Sequence, residues 1–228
     1  IAPGATVRVE RLTLRGGVAN NGGGFWNAGH LTLDEVTMTA LVASSLFISN
    51  TNDLGYGAAV FNAGQLVTRS SFFGFNNGQN AGTIFSTAGA SMYVTNCTFE
   101  SNTSEFSGPA IGSESTNGTA LITHSVFKNN QVAFFGQFLV PPVYAGGGAV
   151  VNAGVLSIAA SSFQSNILRS SVRGGAVLND GTLSIIDSTF EGNSATNPIA
   201  RGGAIFNGGT LGLTNVTLTG NGARFGSA

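Results

Sequence analysis

Gly174-Gly175-Ala176-Val177-Leu178-Asn179, followed 11 residues later by Phe190-Glu191-Gly192-Asn193, decides the architecture, because both halves recur along the chain. The second half, F-x-x-N, returns at Phe47/Asn50, Phe73/Asn76, Phe99/Asn102, Phe127/Asn130 and Phe163/Asn166, with Leu218/Asn221 as a variant. From Phe73 the steps between first positions are 26, 28, 36, 27 and 28 residues. The first half returns at Gly147 to Asn152 and Gly202 to Asn207, and in weaker form at Gly23 to Asn27 and Gly57 to Asn62. Counting 11 residues from Asn62, Asn152, Asn179 and Asn207 reaches Phe73, Phe163, Phe190 and Leu218, whereas the same count from Asn27 reaches Met38. Phe47 to Asn50 therefore belongs to an insertion. A fixed period of roughly 20 to 50 residues is the mark of a solenoid.

With the copies aligned, the position seven before the Phe column reads Leu31, Leu66, Met92, Ala120, Leu156, Leu183 and Leu211. The position five before it reads Leu33, Thr68, Val94, Ile122, Ile158, Ile185 and Leu213. Columns two residues apart point the same way along a strand, so these form an inner wall. Each repeat is expected to supply three short strands with Gly, Asn and Ser turns between them. One coil cannot bury its own apolar face, so coils stack and pair strand on strand. The fold class expected is all-β: a right-handed parallel β-helix of about seven coils of roughly 27 residues, stacked Phe73, Phe99, Phe127, Phe163 and Phe190 filling its interior. Asn76, Asn102, Asn130, Asn166 and Asn193, with Asn152, Asn179 and Asn207, form ladders, since a side-chain amide can bond its copy in the next coil. Paired glycines serve positive φ and the close approach of neighbouring coils.

The chain reads as a single domain over 1–228: a partial coil at 1–21, repeats at 22–221, insertions near 41–56 and 131–145, and a C-terminal end or truncation at 222–228. It begins at Ile1, and Ile1 to Arg15 lacks the charged-then-apolar plan of a signal peptide, so a mature or excised, soluble segment is expected, with no membrane insertion. Glycine numbers 34, and Asp, Glu, Lys and Arg make only 8% of the chain against a usual figure of roughly 25%. Eight of nine basic residues are arginine, scattered among ten acids, which leaves no basic stripe for nucleic acid. The one cysteine, Cys97, rules out an internal disulfide and reads as a small residue packed beside Phe99.

The G-G-A-[I/L/V] block at Gly147 to Val150, Gly174 to Val177 and Gly202 to Ile205, followed by F-x-x-N, resembles the repeat signature of the chlamydial polymorphic membrane proteins. The resemblance spans roughly Gly22 to Asn221 and weakens at Gly82 to Phe85 and Gly108 to Ile111. It implies a right-handed β-helical passenger at the cell surface, carried in many cases by an autotransporter β-barrel, with a role in adhesion.

Parallel β-helices also serve carbohydrate-active enzymes, which need clustered carboxylates. The candidates are Asp180, Asp187 and Glu191 in one repeat and Asp34 with Glu35 in another, but Asp187's column reads Glu35, Ser70, Asn96, His124, Ala160, Asp187 and Asn215, with no acid in an adjacent coil. The expectation is no catalytic residue. His30 and His124 lie several coils apart with no ligand-spaced partner, so neither metal nor cofactor is expected. Glu100 and Lys128 follow the Phe column in neighbouring coils and should meet as a surface pair, contributing about 0 to 1 kcal/mol. Arg173 and Arg201 precede equivalent glycines, where stacked like charges oppose stability unless an anion or acid intervenes.

The leading expectation is an extracellular passenger that binds a protein or glycan on a cell surface, with Phe134, Phe135, Phe138, Tyr144, Arg173 and Arg201 as possible contacts. The alternative is self-assembly into a filament, sheath or surface layer; an enzyme acting on polysaccharide ranks below both. Ice binding ranks last, because no column holds threonine regularly.

Overall fold

The computed structural model describes residues 1–43, 55–133, 146–169 and 173–226. Within them the chain is all-β, without helix, and winds into a β-solenoid of about seven turns. Four parallel sheets run its length, three of eight strands and one of seven, and in each the order is chain order taken one coil at a time. A typical coil contributes Thr182–Ile186 to the first sheet, Thr189–Glu191 to the second, Ser194–Ala195 to the third and Ile205–Asn207 to the fourth. Three strands per repeat were expected and there are four. The missed one is two residues long, too short for side-chain alternation to reveal it.

Register follows the sequence columns. Leu31 pairs with Leu66, Leu66 with Met92, Leu156 with Leu183, and Leu183 with Leu211. Met38 pairs with Phe73, so the count from Asn27 gives the right register in the first repeat. Both inner-wall columns are buried from Leu31 and Leu33 through Leu183 and Ile185. Thr68, the polar member, is fully buried with its hydroxyl 3.7 Å from the Cys97 sulfur. The five phenylalanines are 0% exposed and stack at centroid distances of 4.9, 5.0, 4.6 and 4.5 Å. That separation is the strand spacing of about 4.8 Å, so the backbone ladder and the ring stack share one repeat length.

The corners explain the polar columns. Glu35, Ser70, Asn96, His124, Ala160, Asp187 and Asn215 turn the chain from the first sheet to the second with φ between 46° and 53°. Their column is thus set by the left-handed conformation, which Asn and Asp tolerate best among residues with a Cβ. Ala160, exposed at φ 48°, fits it poorly. Ala160→Asn, copying Asn96 and Asn215, is expected to raise the unfolding free energy by about 0.5–1 kcal/mol in urea titration. The paired glycines divide their labour: Gly147, Gly174 and Gly202 have φ of 69°, 79° and 71°. At the following glycines, Gly148 and Gly175, a Cβ would collide with the carbonyl of the next coil.

Two hydrogen-bond ladders run down the solenoid. Each of Asn76, Asn102, Asn130, Asn166 and Asn193 donates its amide to the next asparagine Oδ1 at 2.8–3.0 Å, ending on Asn221. The same amides donate to backbone carbonyls in the preceding coil, such as Phe99 O from Asn130 at 3.0 Å. The other ladder runs Asn27, Asn62, Ser86 and then Asn152, Asn179, Asn207. It breaks at Ser113, whose buried hydroxyl has no hydrogen-bond partner among the described residues. A third, unforeseen row holds Ser71, Cys97, Ser125, Ser161 and Ser188. Its hydroxyls accept the backbone N–H of the preceding coil at 3.2 Å and donate to a carbonyl two residues back. Cys97 replaces a serine there, donating to Thr95 O at 3.3 Å, and burial pushes its thiol pKa up.

Candidate interaction surface

The connections between strands divide sharply by corner. First to second sheet is always two residues, as at Arg11–Leu12 and Asn215–Val216, and second to third is likewise always two, as at Gly16–Gly17 and Gly220–Asn221. Fourth to first is two in five coils and longer only at 87–90 and 114–119. Between the third sheet and the row of bridges Asn21, Tyr56, Ala81, Ser107, Gly146, Arg173, Arg201 and Phe225, the connection varies most. It is one residue at Asn20 and Arg224, two at Gln79–Asn80, 12 over 44–55, 13 over 133–145 and five over 196–200. Both expected insertions fall on this corner. Most of the first and nearly all of the second, with Phe134, Phe135, Phe138 and Tyr144, lie outside the described residues.

Beside that corner lies the outer face of the fourth sheet. Its outward column reads Trp26, Phe61, Phe85, Gly112, Val151, Leu178 and Phe206, apolar throughout. Trp26 is 48% exposed and stacks on Phe61 at 6.3 Å, while Phe85 is covered by Tyr56 at 4.4 Å. Gly112 interrupts the column, leaving a cleft of about 20 Å³ lined by Tyr56, Asn80, Phe85, Ser107, Glu114 and Val151. That is the volume of one water molecule. Burial raises the pKa of Glu114 there, so the protonated carboxyl is favoured in the fold. A raised folded value gives a contribution present below the unfolded pKa and lost as pH rises through the folded one. Glu114→Gln is accordingly expected to flatten the fall in Tm between mildly acidic and neutral pH relative to the parent chain. A shallower groove of about 320 Å³ crosses Gly29, Gly64 and Gly89 beside His30, Gln65 and Ser91, with His30 Nδ1 2.8 Å from Gln65 Oε1.

The charged residues sort by position. Lys128 and Glu100 meet at 3.1 Å, the surface pair read from the sequence. Arg173 and Arg201 are bridge partners in adjacent coils. An acid does intervene for the first: Arg173 lies 3.5 Å from Asp180 and 5.6 Å above the centre of the Phe206 ring. Neither Asp180 nor the ring was foreseen as its partner, because the aligned columns do not show which residues face one another across a corner. The candidate acids are dispersed: Asp180 follows the fourth sheet, Asp187 sits on the first-to-second corner and accepts from Asn215 at 2.6 Å, and Glu191 lies on the second sheet. Asp34 pairs with Arg8, which also bonds Glu10, while Glu35 occupies a left-handed corner. Among the described residues no group of three His, Cys, Asp or Glu side chains could hold a metal ion.

The statement that no column holds threonine regularly needs correction. The outward column of the second sheet reads Thr13, Thr37, Phe72, Thr98, Val126, Ser162, Thr189 and Thr217. Its regularity is broken by Phe72 and Val126, and the neighbouring column carries Arg15, Glu100, Lys128 and Glu191. Compared with known proteins, the chain matches no family model, no curated sequence and no solved structure.

Proposed function

We propose that this chain is an extracellular, cell-surface interaction module, a rigid β-solenoid that presents one variable corner to a protein or glycan on another cell. The observation that carries the reading is the asymmetry of its corners: two keep a fixed two-residue turn in every coil, while the third-to-fourth corner varies from one residue to 13. A scaffold that served only as a spacer would have no reason to place its irregularity on one side. In repeat proteins, insertions gathered on one face mark the binding face. The resemblance to chlamydial polymorphic membrane protein repeats points the same way, to an adhesive passenger.

The test replaces residues 133–145 with the two-residue connection Gln79–Asn80 used elsewhere on the same corner. Adhesion of labelled protein to cultured epithelial cells and to an immobilised glycan panel is measured alongside circular dichroism. Loss of adhesion with an unchanged β spectrum is expected. Undiminished adhesion, or long filaments at low concentration in electron micrographs of the parent chain, would overturn the reading, the second outcome in favour of a self-assembling sheath or surface-layer subunit.

A further inference from the structure

The variable corner has a distinct chemistry at its C-terminal end. Of nine basic residues, Arg169, Arg173, Arg201 and Arg224 fall in the last three coils and all four on this corner. Arg173 pairs with Arg201 across adjacent coils, and Arg201 with Phe225, immediately after Arg224. Arg169 closes the third-sheet strand Ile167–Leu168, one coil before Thr196 and two before Arg224. Three acids share this part of the chain, but only Asp180 reaches an arginine here; Asp187 and Glu191 belong to other sides. No acidic side chain among the described residues lies within ion-pair distance of Arg169, Arg201 or Arg224, and all three are exposed. A chain of net charge −1 thus concentrates positive charge at one place. Like charges stacked in neighbouring coils cost stability unless an anion lies between them.

We propose that Arg169, Arg173, Arg201 and Arg224 bind a short stretch of acidic polysaccharide through its carboxylate or sulfate groups. The inference rests on the interaction-module reading and names its ligand class. Guanidinium forks match planar or trigonal oxyanions in paired hydrogen bonds, which a lysine patch would not do. Phe206 beneath Arg173 holds one fork in place. Phe225, 55% exposed, and Ile199, 61% exposed, flank the row and offer apolar surface to the C–H faces of sugar rings. Scale selects among anions. Three coils extend about 10 Å along the axis, far less than the roughly 800 Å² per partner of a stable protein interface, but enough for a few sugar units. Nucleic acid binding draws on many phosphate contacts, and this chain has no net positive field to gather them.

The experiment measures binding of the full chain to polygalacturonate and dextran sulfate oligosaccharides by calorimetry, with neutral dextran, duplex DNA and anionic phospholipid vesicles as comparisons. Arg201→Gln/Arg224→Gln is expected to weaken acidic-sugar binding at least about tenfold, as loss of charge-assisted hydrogen bonds does. Arg11→Gln/Arg15→Gln, exposed at the other end, should leave it unchanged, and added salt should weaken it. Absence of saturable binding, equal loss in both variants, or binding to DNA or vesicles as tight as to the sugars would each overturn the proposal. If the parent chain adheres to cells while acidic oligosaccharides neither bind nor compete, this assignment fails and the interaction module stands. If the parent chain adheres to nothing, both fail.

Discussion

Replacing Phe127 with alanine is expected to lower the unfolding free energy by about 3–5 kcal/mol. The ring is fully buried and sandwiched between Phe99 at 5.0 Å and Phe163 at 4.6 Å, all three nearly coplanar in orientation. Its neighbours are fixed by parallel pairing of Thr98–Glu100, Val126–Lys128 and Ser162–Gln164, so the walls of the new cavity cannot close without breaking sheet hydrogen bonds. Poor relaxation puts the loss toward the upper end of what such truncations cost. Phe127→Leu is the matched control: Leu218 and Leu14 hold this column in the end coils, and refilling most of the volume should limit the loss to about 1–1.5 kcal/mol. Urea titration of both variants decides it. A loss below about 1 kcal/mol for alanine would mean the column is loosely packed and contributes little beyond its area.

The Asn130→Asp variant should be comparably destabilised at neutral pH, by about 3–5 kcal/mol, and recover on acidification. Asn130 donates to Phe99 O and to Asn166 Oδ1, each at 3.0 Å, and its Oδ1 accepts from the Asn102 backbone and side-chain amides. An aspartate keeps the accepting oxygen but turns the donating side into an oxygen aimed at two other oxygens, in a site with no solvent. The ionised form is therefore disfavoured and the introduced carboxyl's pKa rises above its unfolded value of about 3.9. For a raised acid, stability is retained below the unfolded pKa and lost as pH rises through the folded one. Urea midpoints of variant and parent should converge near pH ~4 and diverge toward neutrality. Parallel profiles across that range would show that the amide's polarity is not what orders the ladder.

The architecture was legible because it rests on identity between coils. Phe99, Phe127 and Phe163 can stack, and Asn102, Asn130 and Asn166 can ladder, only where the same residue recurs at a fixed offset, and recurrence is visible in a sequence. The serine row was equally visible two positions before each phenylalanine, at Ser71, Ser125, Ser161 and Ser188, and Cys97 masked it by breaking the letter while keeping the geometry. The two-residue third strand left no pattern. On the surface the logic reverses: Arg173 meets Asp180 and Phe206 across a corner, and the apolar outer column from Trp26 to Phe206 changes residue at nearly every coil. Contacts that do not repeat cannot be read from repetition, which is why the core was clear and the binding surface was only bracketed by its insertions.

The fixed corners give the variable one a freedom ordinary loops lack. Because the strands on both sides are locked by coils above and below, lengthening a connection from the two residues of Gln79–Asn80 to the 13 of 133–145 adds only chain-closure entropy, about 1.7 kcal/mol. That sum is small beside the loss expected from one missing phenylalanine ring. The solenoid thus behaves as a socket strip, in which peptides of unrelated sequence can be exchanged at successive outlets about 4.8 Å apart without retuning the frame that holds them.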